Sequence, residues 1–240
     1  MKRFSFLLMA FVSLVLTSAS FLCAQETDDG FVCIFNGKDL TGWKGDPNLW
    51  SVQDGAIVGQ TNDSDKKITV NQALYYADDM EIGDFEIRFD YRISNWGNSG
   101  LYYRGWFLEE PEKFRMGGYQ GDFDGAAQYS GIMYGEALRG ILANLGTVSR
   151  VTPEGKIEAV SSFATADEIR KNVKIEDWNH YEISARGYVF VHKINGKVTS
   201  VFVDEDSDDV RRSKGILGWQ LHVGEGGMKV EIKNIYLKKL

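Results

Sequence analysis

Phe85-Glu86-Ile87-Arg88-Phe89-Asp90-Tyr91-Arg92-Ile93 decides the fold class. Five apolar side chains alternate strictly with four charged ones, and side chains alternate across a strand, so one face is buried and the other is wet. A helix would spread the same residues around its whole circumference. Outward from this strand the chain reads as further short strands separated by turn residues, the pattern of a sandwich or barrel. Asp54-Gly55 joins Trp50-Ser51-Val52 to Ala56-Ile57-Val58, and Asn195-Gly196 joins Tyr188 through Ile194 to Val198 through Val203; both pairs are hairpin-turn dipeptides. Trp219, Leu221 and Val223 alternate with Gln220 and His222, which puts an amide and an imidazole on the non-core face. In the last strand Val230 and Ile232 fall out of step with Ile235 and Leu237, which predicts a β-bulge near Lys233-Asn234. Thr165 through Glu168 has capping-box spacing and predicts one short helix to about Lys171, in an otherwise irregular region reaching Lys174.

Lys2 and Arg3 precede an apolar run from Phe4 to Leu16 and small residues up to Ala24, the signature of an export signal. The expected organisation is a signal over 1–24 and a single β-sandwich domain over 25–240, located in the periplasm. The alternative is a lipoprotein anchored through Cys23, which Leu22 fits poorly. No stretch is long enough for a transmembrane helix. Cleavage after Ala24 leaves 216 residues and takes the net charge from −7 to −9. That acidity argues against nucleic acid as a partner. Cys33 would then be the sole cysteine, buried in the first strand with no intrachain disulfide. Oligomeric state is left open.

The segment from Gly117 to Leu142, GGYQGDFDGAAQYSGIMYGEALRGIL, is too polar for a core strand and too rich in glycine for a helix. It reads as a surface that presents side chains to a ligand. Extended, it places Gln120, Asp122 and Asp124 on one face and Tyr119 and Phe123 on the other. Asp122 and Asp124 would stand about 7 Å apart, a separation compatible with an inverting glycosidase. In Leu101-Tyr102-Tyr103-Arg104, Tyr102 and Arg104 share a face opposite Leu101 and Tyr103. His180 and His192 read as structural residues, although His192 also stands among the candidate sugar contacts. His222 reads as functional, because Gln220 beside it is polar and the opposite parity supplies the core. The acidic run from Asp204 to Asp209 lacks the central glycine and final glutamate of a calcium loop, and is expected to be a solvated loop. Nucleotide loops, zincin helices and nucleophile elbows are absent. No cofactor motif stands out, and a bound divalent cation is left open.

The chain resembles the 3-keto-disaccharide hydrolase family. The matching pieces run in order from Phe35-Asn36-Gly37-Lys38-Asp39-Leu40-Thr41-Gly42-Trp43 and Trp50 through Ile57, past Asn98-Ser99-Gly100-Leu101 with Arg104, Gly118-Tyr119-Gln120 and Trp178-Asn179, to Gln220-Leu221-His222. The resemblance implies an all-β, concanavalin A-like jelly-roll β-sandwich whose concave sheet forms a carbohydrate cleft, with a 3-keto-sugar glycoside as substrate. A ketone at carbon 3 acidifies the hydrogen on carbon 2, so a base can form an enolate that expels the group on carbon 1. Mapped onto this chain, His222 is the base and Arg104 stabilises the enolate oxygen, while Asp122 or Asp124 orients a histidine or protonates the leaving group. Gln120, Tyr134 and Gln220 hold hydroxyls, with Tyr102, Glu136 and His192 as further sugar contacts. Many relatives carry glutamate where this chain has Gln120, so a carboxylate role there does not transfer. The competing expectation is a non-catalytic, lectin-like carbohydrate-binding module on the same sandwich.

Overall fold

The computed structural model describes residues 27, 29–62, 64–224 and 226–240, so the export signal and its alternative fall outside it. In chain order the strands are β1 (Val32–Cys33), β2 (Trp43–Lys44), β3 (Trp50–Gln53), β4 (Ala56–Gln60), β5 (Gln72–Tyr76), β6 (Phe85–Ile93), β7 (Asn98–Phe107), β8 (Met116–Asp124), β9 (Met133–Glu136), β10 (Gly140–Ala143), β11 (Thr147–Val151), β12 (Ile157–Ser162), β13 (Asn179–Arg186), β14 (Val189–Ile194), β15 (Lys197–Asp204), β16 (Ile216–Leu221) and β17 (Lys229–Lys239). They form two sheets. One runs β12-β11-β15-β14-β13-β6-β17-β4-β3, with β1 also paired to β17; the other runs β10-β9-β8-β7-β16-β5-β2. The two layers make a sandwich, one of the two architectures the strand pattern predicts, of the jelly-roll type that the family resemblance implies.

β6 sits near the middle of the larger sheet, between β13 and β17, and every second residue from Phe85 to Ile93 is buried. Its apolar face meets the inner face of the smaller sheet through aromatic rings. Phe89 meets Trp219 edge-on at 4.7 Å, and Tyr91 stacks on Phe123 at 4.2 Å between ring centres. The two hairpin turns form where expected, with Asp54, Gly55, Asn195 and Gly196 all at positive φ. The β17 ladder slips between Lys233 and Tyr236, with Asn234 in the left-handed region. Helix α1 (Ala166–Arg170) carries the full reciprocal capping box of Thr165 and Glu168.

Three expectations are corrected. The region before α1 is not irregular, because it holds β11 and β12. β12 is an edge strand exposed along most of its length, so it has no buried face to impose alternation. The acidic run is only partly solvated: Asp204 accepts a hydrogen bond from the Tyr119 hydroxyl, and Asp206 is ion-paired with Arg139. Cys33 is half-buried rather than buried.

Candidate active site

β8 lies between β9 and β7 inside the smaller sheet, and all nine of its residues are buried, polar ones included. The reading of this segment as too polar for a core strand is therefore wrong, though its parity is right. Tyr119 and Phe123 enter the aromatic core, while Gln120, Asp122 and Asp124 lie on the opposite face. From residue 125 the chain reverses beside β8 and brings Tyr129, Ile132, Tyr134 and Ile141 to one cleft with that face. β9 pairs with β8, setting Tyr134 opposite Gln120, and β7 sets Tyr102 opposite Gln120 and Gly100 opposite Asp122.

The result is a cleft of about 240 Å³, lined by Asn98, Gln120, Asp122, Tyr129, Ile132, Tyr134, Glu136, Ile141, Gln220 and His222. Gly100 creates part of it: a Cβ there would stand 2.6 Å from the Gln120 amide nitrogen, so only glycine lets that side chain lie across β7. Among the described residues, Gln120 Nε2 is buried without a hydrogen-bond partner. Gln220 donates from Nε2 to the Tyr102 hydroxyl at 2.6 Å, and its Oε1 is likewise unpartnered. Buried polar atoms left unpaired are uncommon and costly, and here both belong to residues that line one cleft.

Asp122 is only 7% exposed, and among the described residues no donor reaches its carboxylate. Burial first, then the charges of Asp124 and Glu136, push its pKa well above the ordinary carboxylate value. Burial also raises the Glu136 carboxyl, with His222 and Arg115 pulling it back down. His222, half-buried just beyond β16, hydrogen-bonds through Nδ1 to the Val223 carbonyl. A carbonyl can only accept, so Nδ1 carries a proton and Nε2 is the nitrogen left to take one up. The arrangement brings a carboxyl biased toward its protonated form, an imidazole and an unpaired amide donor into one site.

Four expected site residues stand elsewhere. Arg104 is turned away from the cleft by a bulge between Tyr103 and Trp106; its φ of +47° breaks the alternation on which the expectation rested. Its guanidinium donates to the carbonyls of Gly83, Gly187 and Arg212 and to Asp84, with no exposed side-chain surface. Asp124 is consumed by a turn, accepting from the amides of Gln128 and Tyr129 and from the Ser130 hydroxyl at 3.0, 2.8 and 3.0 Å. His192 is sealed in the sandwich between the hydroxyls of Tyr103 and Tyr181, and burial lowers its pKa to about 4. Tyr102 is buried behind Gln220 and acts on it rather than on a ligand. His180 lies on the larger sheet against Asp90 at 2.7 Å, the hydrogen bond that raises its pKa. Asn98, Ile132 and Ile141 line the cleft without having been singled out; Asn98 shares the parity of Gly100 and Tyr102, which was the available signal.

The family model of the 3-keto-alpha-glucoside-1,2-lyase-like domain matches residues 30–238. A 3-keto-disaccharide hydrolase of Bacteroides thetaiotaomicron is 31% identical over 86 residues, covering 31% of this chain and 27% of that protein, so the match spans little more than a quarter of the relative. Among solved structures, a candidate glycosyl hydrolase from Parabacteroides distasonis superposes with a TM-score of 0.58 at 24% identity, over 89% of this chain and 97% of the other. A galectin-like protein of Bacillus subtilis gives 0.54 at 9% identity, covering 83% and 90%. A carbohydrate-binding module of the same organism gives 0.51 at 13% identity, covering 84% and 98%. These likenesses establish the concanavalin-type sandwich. The family match takes in both sheets and every residue of the cleft, and the chain belongs to the 3-keto-alpha-glucoside-1,2-lyase-like domain family.

Proposed function

We propose that the chain is an exported, periplasmic enzyme that breaks the glycosidic bond of 3-keto-glycosides by elimination across carbons 1 and 2, followed by addition of water. The observation that carries this reading is the Asp122 carboxyl, buried and biased toward its protonated form beside the unpaired Gln120 amide in one sugar-sized cleft. His222 takes the carbon-2 proton on Nε2. The freed electron pair forms the carbon 2–carbon 3 double bond, and negative charge moves onto the former ketone oxygen. Gln120 Nε2 donates to that oxygen, taking the role first expected of Arg104; one such donor is worth roughly 3 to 4 kcal/mol. As the enolate collapses, the carbon 1–oxygen bond breaks and Asp122 gives its proton to the departing oxygen. Gln220 Oε1, Tyr134 and Asn98 hold ring hydroxyls, and Glu136 offsets the positive charge that develops on His222. Water then adds across the carbon 1–carbon 2 double bond to release the 3-keto-sugar.

The test is turnover of a 3-keto-glucoside in heavy water. Deuterium should enter carbon 2 of the released sugar, and the His222→Ala variant should lose both exchange and cleavage. Cleavage with no label at carbon 2 would mean direct hydrolysis, and binding without turnover would mean a carbohydrate-binding module. Export is tested by sequencing the mature amino terminus, expected at Gln25; a lipid-modified Cys23 would overturn it.

A further inference from the structure

One wall of the cleft, from Tyr129 to Ile132, is fastened from behind by the other sheet. On β15, the hydroxyls of Thr199 and Ser200 both donate to the Gly131 carbonyl at 2.8 Å. On β14, His192 Nδ1 donates to the Ile132 carbonyl at 3.2 Å. None of the three side chains has appreciable solvent contact. Neighbouring residues on a strand ordinarily face opposite ways, so Thr199 and Ser200 should not both point inward. They do because the β14–β15 ladder slips: His192 pairs with Ser200 and Lys193 with Val198, leaving Thr199 as the extra residue of a bulge. The approach is so close that a Cβ on Gly131 would lie 2.5 Å from the Thr199 Cβ, and Gly131 sits at φ +98°.

The same wall is tied at its front to β8. The Gly131 amide donates to the Asp122 carbonyl at 2.8 Å, the Asp122 amide donates to Ile132 at 3.3 Å, and Asp124 holds the amides of Gln128 and Tyr129. With both sides fastened, Tyr129 stands at the cleft rim, 43% exposed. We propose that His192, Thr199 and Ser200 are positioning residues of the cleft, which hold the Tyr129–Ile132 wall where it closes on the sugar. They touch no substrate. They act through two backbone carbonyls, and their effect falls on how tightly the ring is held rather than on proton transfer.

The effect on turnover rests on the proposed function, whereas the fastening itself does not, so the test reads both. In the Thr199→Val, Ser200→Ala double variant, hydrogen exchange at the amides of 129–132 should quicken by about tenfold, with β6 amides unchanged. KM for a 3-keto-glucoside should rise by about fivefold with kcat nearly constant. Thr199→Ser, which keeps a hydroxyl, should behave as the wild type. Wall amides exchanging at the wild-type rate, a uniform acceleration that includes β6, or faster wall exchange with KM unmoved would each overturn the proposal. A wild-type protein inert toward 3-keto-glucosides would remove the proposed function, while the exchange comparison would still decide whether the wall is held from the opposite sheet.

Discussion

The burial that raises the pKa of the Asp122 carboxyl also opposes folding once the unfolded chain can ionise. Below about pH 4, near the ordinary carboxylate value, both states hold the proton and nothing is lost. As pH rises toward the elevated folded value, the unfolded chain sheds its proton while the native one keeps it, so stability falls. Asp122→Asn should therefore raise the melting temperature at pH 7, show no gain near pH 3, and lower turnover by about 10²- to 10⁴-fold. A variant that melts earlier at pH 7 would mean that the carboxylate is stabilised there by a partner. Arg104→Ala should do the reverse. It strips donors from three carbonyls and from Asp84, costing about 3 kcal/mol, while turnover per folded molecule is retained. Loss of kcat at an undiminished melting temperature would return Arg104 to the chemistry. At this scale Gln120, Asp122, Gln220 and His222 were legible because parity alone places them. Arg104 was not, because the bulge that turns it depends on how β7 and β8 meet.

Strand β16 shows how far periodicity reaches. Trp219 and Leu221 are buried in the core, while Gln220 and His222 line the cleft. Leu221→Ala should cost about 2 to 5 kcal/mol, since the surrounding aromatic core cannot collapse into the gap. His222→Ala should cost little in thermal unfolding, and equal losses for the two variants would refute the division of faces. Thr165→Ala should cost about 1 kcal/mol by removing the side-chain cap of α1, measurable by denaturant titration. The turns, the helix cap and the β17 bulge were readable because each depends on a few adjacent residues. β12 was hidden because an exposed edge strand is held by its ladder to β11 rather than by an apolar stripe.

Across the whole molecule the two sheets share one aromatic interior, where Phe89 meets Trp219 and Phe123 on the facing layer, Tyr91 meets Phe123, and Tyr181 lies beside both. Neither sheet buries its inner face without the other. Near-ultraviolet dichroism, which follows the rings, and far-ultraviolet dichroism, which follows the strands, should therefore melt at one temperature. Two separated transitions would mean that one sheet outlives its partner. The layered all-β class was legible from β6 together with the short strands and turns around it. The seat of the chain reversal between residues 125 and 141 was not, because its ties to His192, Thr199 and Ser200 are contacts distant in sequence.

The strand that joins β6 to β4 in the larger sheet is β17, the last of the domain to be synthesised. Until it leaves the ribosome, β6 and β4 each present an unfilled edge, and β1 has nothing to pair with. Assembly must therefore wait for the whole domain to emerge and then proceed through pairings between residues far apart in the chain, which are slow to find. During that interval the nascent polypeptide remains an open substrate for whatever acts only on unfolded chains, whether a chaperone that shields the bare edges or a translocation channel too narrow for a finished sandwich.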